Sequence, residues 1–138
     1  MWSLADAAVP FCVAVFAQHT GPIWSVALSD DMALSASNDM SVCVWHLKAA
    51  KHYLGQLAHP SWVYSVSMQR DVAATGCGDG NVRLWSLATL SCLRVLNHSA
   101  GTVDNPYLQS PVYNVRMHGG LLVSGGKESY VKVCSASL

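Results

Sequence analysis

Three kinds of side chain that could form a hydrolytic active site recur along this chain. Each set contains a histidine, then a serine or threonine, then an acidic residue. The three sets are His19, Ser35 and Asp39; His59, Thr75 and Asp79; and His98, Ser124 and Glu128. A serine whose proton is taken by a histidine, itself oriented by an aspartate, is the arrangement that cleaves esters and amides. The residue types alone are therefore compatible with a hydrolase.

The spacing of these residues favours a structural role instead. The sets recur at an interval of about 40 residues, whereas an active site needs only one of them. A tryptophan, Trp45 or Trp85, follows each of the first two sets, and Cys134 takes its place after the third. The nucleophile motif G-x-S-x-G does not occur in the sequence.

Two further kinds of chemistry, phosphate binding and metal binding, do not fit the sequence. The segment "VSGGKES" resembles a phosphate-binding loop, but Leu121 stands where its first glycine is needed and Glu128 follows Lys127. Outside the three sets, the histidines are His46, His52 and His118. None of these has an acidic or cysteine neighbour at the spacing of metal ligands. The sequence therefore predicts no metal site and no cofactor.

The composition excludes several classes of partner. Hydrophobic residues make up 51% of the 138 residues, charged residues only 12%, and the formal net charge is zero. We expect no nucleic-acid partner, because no basic stripe is present. The apolar start, "MWSLADAAVPFCVAVF", lacks a basic signal-peptide region and contains Pro10, so no membrane partner is expected. Five cysteines without framework spacing predict reduced thiols in the cytoplasm or nucleus.

Each copy of the repeat contains four short apolar or alternating runs separated by turn residues, which predicts four strands. In the third copy the expected strands cover 112–117, 120–125 and 130–134, preceded by a strand over 91–96. No segment has a capped helical pattern. About 40 residues with four strands is typical of one blade of a β-propeller.

The copies resemble the WD-repeat family over nearly the whole chain. They run from His19 to Trp45, from His59 to Trp85 and from His98 to Cys134. The glycine that the family places before the histidine is replaced in every copy, by Gln18, Ala58 and Asn97. The aspartate that it places after the tryptophan is replaced by His46, Ser86 and Ser135. The resemblance implies an all-β fold, a partial WD-repeat β-propeller of about three four-stranded blades.

The same alignment predicts how the chain is organised. Trp2 matches the end of a third strand, so residues 1–18 are expected to be the remnant of a preceding blade and to contribute its N-terminal strand. The blades are then predicted at 19–57, 58–97 and 98–138. The last lacks its outer strand and contains an insertion at 99–110. Since propellers have 4–8 blades, the chain is expected to need further blades or self-association.

The resemblance also assigns a role to the recurring polar residues. In the family, the histidine, the hydroxyl residue, the turn acid and the tryptophan form a buried hydrogen-bonded chain. Such a chain is tolerated because indole N–H only donates, carboxylate only accepts and imidazole can do both. The third copy, with Glu128 and Cys134, is not expected to complete it.

Aromatic residues supply the candidate partner site. Trp24, Tyr64 and Tyr113 occupy the first strand of each copy, where they could either pack between blades or form a rim around the channel. Trp62 beside His59, Tyr107 in the insertion and Lys127 in a turn belong to the same expected face. The opposite face is expected to offer only short hairpins.

WD-repeat propellers are mostly platforms for other proteins, so the resemblance implies a non-catalytic protein-interaction module. The short hairpins "MQRDV" and "MHGGL" are similar to those of F-box/WD-repeat substrate receptors of ubiquitin ligases. A scaffold subunit of another complex, in trafficking or a ciliary coat, is the alternative hypothesis, and an enzyme is a distant third. The partner protein is not identified by the sequence.

Overall fold

The computed structural model of the chain describes residue 12 and residues 14–48, 52–98 and 109–136. These residues form strands joined by turns. The strands are β1 Ile23–Leu28, β2 Met32–Ser37, β3 Ser41–His46, β4 Tyr53–Ala58, β5 Val63–Gln69, β6 Val72–Cys77, β7 Asn81–Ser86, β8 Ser91–Asn97, β9 Val112–His118, β10 Leu121–Gly126 and β11 Val131–Ser135. Within these residues no helix has the length and apolar character that crossing a bilayer requires.

The strands form three antiparallel sheets, which we call the first, second and third blades. The first contains β1 to β4 and the second β5 to β8, each in sequence order. The third contains β9, β10 and β11 with β10 in the middle, so it has three strands within the described part of the chain. The predicted all-β fold of about three propeller blades is confirmed.

The first strand of each blade lies on the inside of the assembly. Strand β5 packs against β1 on one side and β9 on the other, so the inner strands of successive blades are neighbours. Two apolar cores fill the spaces between blades. The first is built from Leu34, Val44, Val66 and Trp85, among others. The second joins Leu84 of the second blade to Val115 and Leu122 of the third.

In the first two blades, a tight turn between the second and third strands links the acidic residue to the strand that contains the tryptophan. The residue after the acid adopts a left-handed backbone, with φ of 65° at Met40 and 77° at Gly80. Glycine adopts this conformation without steric cost, whereas at Met40 the side chain makes it less favourable. The backbone reversal returns the chain along the second strand and places the tryptophan opposite an alanine, Ala33 or Ala73.

The predicted remnant of a preceding blade falls largely on residues outside the described part, namely 1–11 and 13. Residues 14–18 are described and lie outside any strand. Phe16 instead stacks on Trp45, with ring centroids 5.1 Å apart. Most of the predicted insertion, residues 99–108, is also outside the described residues.

Candidate functional site

The first blade contains the complete hydrogen-bonded chain of four side chains. Nδ1 of His19 lies 2.8 Å from Oδ2 of Asp39, and its Nε2 lies 2.8 Å from Oγ of Ser35. The indole N–H of Trp45 donates to the same Oγ at 2.9 Å. Strand pairing between β2 and β3 brings the serine and the tryptophan to one face, and the turn after β2 delivers the aspartate.

Asp39 is the acceptor on which this arrangement ends. Burial raises the pKa of its carboxyl, but hydrogen bonds from Ser41, His19 and the Thr20 amide outweigh that effect and bring the pKa to about 2. The hydroxyl of Ser41 donates to Oδ1 at 2.7 Å, and the Thr20 amide donates to Oδ2 at 3.0 Å. The carboxylate therefore ties the turn to the segment that precedes β1.

The second blade departs from the predicted chain at its acid. Nε2 of His59 contacts Oγ1 of Thr75 at 2.8 Å, and Trp85 donates to that oxygen at 3.1 Å, as expected. Nδ1 of His59, however, lies 2.9 Å from the backbone oxygen of Leu57. No hydrogen bond joins His59 to Asp79 among the residues described.

Arg83 explains why Asp79 does not reach the histidine. Its guanidinium contacts both carboxylate oxygens of Asp79, at 3.1 and 2.6 Å. A guanidinium is always charged and can donate two parallel hydrogen bonds to a carboxylate, so it is a stronger partner for Asp79 than a neutral imidazole. The expected Asp79–His59 contact is corrected accordingly. Burial lowers the pKa of His59 to about 4, although the Leu57 carbonyl opposes the shift.

The third blade has a histidine–serine pair without a tryptophan. Nδ1 of His98 lies 2.7 Å from Oγ of Ser124, and its Nε2 lies 3.7 Å from Oε2 of Glu128, beyond hydrogen-bond distance. Cys134 takes the place of the tryptophan, and a small cavity beside it is lined by Leu96, Leu122 and Ser124, among others. Tyr130, which the sequence analysis did not single out, stacks on the His98 ring at 5.7 Å.

These contacts direct the three hydroxyls inward. Ser35, Thr75 and Ser124 are all buried, and each is hydrogen-bonded to its histidine. A nucleophile has to reach a substrate carbonyl, and these hydroxyls face side chains of their own blade. Among the described residues, no group of three histidine, cysteine or acidic side chains is arranged as a metal site.

Four aromatic side chains form one cluster of ring contacts across the three blades, which we call the aromatic ridge: Trp24, Trp62, Tyr64 and Tyr113. Tyr64 lies at its centre. Its ring centroid is 6.2 Å from that of Trp24, 6.3 Å from Trp62 and 5.2 Å from Tyr113. Trp24, Trp62 and Tyr113 each remain about half exposed. Two of these ring contacts join neighbouring blades, and Tyr64 itself is half-buried.

The aromatic ridge lies at the end of the blades that carries the acidic turns. The indole of Trp24 donates to Oδ1 of Asn38 at 3.1 Å, in the turn after β2. Tyr64 lies beside Gly78 in the equivalent turn of the second blade. Lys127 is exposed in the turn of the third blade, whose backbone bonds to Pro111. We call this end of the blades, where the turns between second and third strands lie, the ridge end. Tyr107 lies outside the described residues.

The opposite end of the blades has a feature that the sequence did not predict. A groove between the second and third blades is lined by residues of two hairpins, including Arg70, Met117 and Gly119. It lies between the hairpin joining β5 to β6 and the hairpin joining β9 to β10. Only the positions of both hairpins in space reveal it.

Comparison with known proteins identifies the repeat. The family model described as "WD domain, G-beta repeat" matches residues 10–46 and 51–86. The DENN domain and WD repeat-containing protein SCD1 of Arabidopsis thaliana is 29% identical over 107 residues, which is 76% of this chain and 9% of that protein. An F-box/WD-40 repeat-containing protein of the same plant is 27% identical over 117 residues, 83% of this chain and 20% of that protein.

A solved structure shares the fold. The crystal structure of the computationally designed protein Ika8 superposes with a TM-score of 0.71 and 24% identity, covering 86% of this chain and 34% of that chain. The chain thus spans a fifth or less of the two curated relatives named above and about a third of the designed protein.

Proposed function

Since this chain belongs to the WD-repeat family, we propose that it is a non-catalytic protein-interaction module whose partner binds the ridge end. WD repeats form interaction modules, and the partner proposed here is another protein. The observation that carries the proposal is the aromatic ridge. Tryptophan and tyrosine dominate binding hot spots, because they bury much area at little entropic cost.

The geometry supports the ridge end over the other faces of the blades. Its rings are fixed by mutual contacts of 5.2 to 6.3 Å, so binding would not have to order them. Asn38 and Lys127 supply polar and charged groups at the same end, where they could form a polar rim. Loops and turns on a rigid scaffold are where binding residues concentrate.

The test is a comparison of single ring deletions. Trp62→Ala and Tyr113→Ala should weaken capture of the physiological partner by about fivefold or more, equal to roughly 1 kcal/mol. Leu93→Ala is the matched control, since Leu93 is similarly exposed but lies on the outer strand of the second blade. If binding survives while the melting temperature falls, the rings serve packing between blades and the proposal is wrong.

A finer proposal is that the module recruits substrates to an F-box-type ubiquitin ligase. It is supported by similarity to an F-box/WD-40 repeat-containing protein over 83% of this chain. The alternative is a scaffold subunit of another complex, and sequencing the reading frame upstream of this chain distinguishes the two. An F-box encoded upstream in the same reading frame supports the ligase role, and a different domain there favours the scaffold.

A further inference from the structure

The groove between the second and third blades, at the end opposite the ridge end, has the character of a binding site. Its volume is about 320 Å³, at the lower end of the range for ligand-binding clefts. Val72, Met117 and Ala136 supply its apolar lining, and Arg70 and Gln69 supply polar side chains. All of these residues belong to two adjacent repeats, so the groove is a feature of their contact rather than of an outer blade face.

The equivalent space between the first and second blades shows how the groove arises. One blade earlier, the residues that correspond to its apolar lining are Met32, Met68 and Leu87. All three pack in or against the first apolar core, where Leu87 is only 5% exposed. Leu87 and Ala136 hold the same place in their blades, since their amides donate to the carbonyls of Asp71 and Gly120 at 2.8 and 2.7 Å. A leucine side chain thus fills the space that the alanine leaves open.

One wall of the groove is backbone without side chains. Gly119 and Gly120 stand where the second blade has Arg70 and Asp71. Both glycines have a left-handed backbone, with φ of 56° and 78°, and nothing beyond their chain neighbours lies within 4 Å of the position that a Cβ atom would take. Since a glycine leaves its backbone uncovered, the backbone of a bound segment can approach this wall closely.

Arg70 gives the groove its charge. Its side chain is exposed, and the described residues provide no ion pair or hydrogen bond for its guanidinium. Asp71, the next residue in the hairpin, is also exposed but does not line the groove. A guanidinium can donate two parallel hydrogen bonds to a carboxylate. The groove therefore combines an apolar space of leucine size with one uncompensated positive charge.

We propose that this groove binds a linear segment of a partner protein in which a leucine-sized aliphatic side chain lies beside an aspartate or glutamate. The aliphatic side chain occupies the space that Leu87 fills one blade earlier. The neighbouring carboxylate pairs with Arg70, and the backbone of the segment passes over Gly119 and Gly120. Burial of the aliphatic group supplies most of the affinity, and the ion pair at the exposed rim supplies selectivity for an acidic segment. This binding is independent of any partner at the ridge end.

The first test is a titration of the isotopically labelled full chain with the capped peptide acetyl-Gly-Ser-Leu-Asp-Ser-Gly-amide, followed by nuclear magnetic resonance. We expect the amide signals of Gly119 and Gly120 to shift, with a dissociation constant of about 1 mM or lower. A peptide with serine in place of the leucine should bind at least tenfold more weakly, because it loses the buried aliphatic group. A peptide with asparagine in place of the aspartate should bind about two- to fivefold more weakly, as is usual for the loss of an exposed ion pair.

Variants of the chain test the same assignment from the protein side. Ala136→Leu should close the groove as Leu87 closes its counterpart and should weaken peptide binding at least tenfold. Arg70→Glu changes an exposed side chain, so it should leave the fold intact and weaken binding at least fivefold. Arg94→Glu is the matched control, because Arg94 is an exposed arginine of the outer strand β8, and it should leave binding unchanged. Trp62→Ala, at the ridge end, should also leave it unchanged. Signal shifts confined to residues outside the two hairpins, equal binding of the three peptides, or undiminished binding to Ala136→Leu or Arg70→Glu would each overturn the proposal.

Discussion

At the scale of single residues, the recurring polar set has three different outcomes in one chain. In each blade the histidine, which lies in the segment before the inner strand, contacts the hydroxyl of the second strand. The sequence did not reveal how the acid is used, since that depends on which cation lies within reach. In the second blade, Arg83 forms an ion pair with Asp79. The equivalent residue of the first blade is Cys43, which has no charge to offer Asp39.

Asp79 and Arg83 should therefore be energetically coupled, whereas Asp79 and His59 should not. Asp79→Ala leaves a partly buried guanidinium without its carboxylate and should cost about 1–3 kcal/mol. In a double-mutant cycle, Asp79→Ala and Arg83→Met should show a coupling energy of at least about 0.5 kcal/mol. The cycle of Asp79→Ala with His59→Gln serves as the comparison. A larger coupling energy in that second cycle would show that Asp79 does bond to His59, as the sequence predicted.

Cys134→Trp combined with Leu122→Ala should stabilise the third blade, because Leu122 lies opposite Cys134 where Ala33 and Ala73 lie opposite the tryptophans. In the other blades the indole N–H donates to Ser35 or Thr75, and Ser124 occupies the equivalent place beside the cavity. Filling the cavity and adding this bond should raise the free energy of unfolding by about 1 kcal/mol, after allowance for strain from overpacking. Chemical denaturation would measure it, with Cys134→Ser as a control that adds no volume. A loss of stability would mean that the blade has closed around the smaller side chain.

Stability should fall on mild acidification because of His59. Its folded pKa of about 4 lies below the ordinary value of 6.5, so the unfolded chain takes up the proton first. The contribution of His59 to the free energy of unfolding is complete above pH 6.5 and is lost as the pH falls towards 4. It amounts to at most about 3 kcal/mol. His98, whose pKa burial also lowers, acts in the same direction. Urea unfolding at several pH values should show a shallower dependence for His59→Gln, and an unchanged slope would contradict this account.

At the scale of strands and blades, the sequence was most informative. The strands expected over 112–117, 120–125 and 130–134 occur at Val112–His118, Leu121–Gly126 and Val131–Ser135. Alternating polarity and turn residues determine where a strand begins and ends, because each is a local property. How closely two blades approach is not local. It depends on pairs of side chains from different repeats, which no single repeat contains.

Gly76 marks a close approach between the backbones of the second and third blades and gives a prediction. A Cβ atom there would lie 2.9 Å from the Val112 carbonyl oxygen and 3.2 Å from Cγ1 of Val115. Gly76→Ala should therefore push the second and third blades apart and cost about 1–3 kcal/mol. Ala36 holds the same register position in the first blade and is fully buried. The reverse exchange, Ala36→Gly, should also destabilise, through a cavity and lost backbone restriction. Thermal melts of both would show whether each interface has its own required volume.

At the scale of the whole molecule, the low charge content of 12% already indicated that strands would be covered on both faces. What the sequence did not determine was how deeply equivalent side chains are buried. That depends on how the blades stack: Val66 of β5 is fully buried, whereas Val26, at the same position of β1, is 71% exposed. The groove at the end opposite the ridge was missed for the same reason.

Equivalent valines in different blades should therefore differ in how much they stabilise the fold. Val66 is fully buried between the first and second blades, whereas Val26, at the same position of β1, is 71% exposed. Val66→Ala should lower the free energy of unfolding by about 2 kcal/mol, because it removes buried methyl groups and leaves a cavity. Val26→Ala should change it by at most about 0.5 kcal/mol, as is usual for an exposed side chain. Urea unfolding of both variants would measure the difference, and equal losses would show that Val26 is as well covered in solution as Val66.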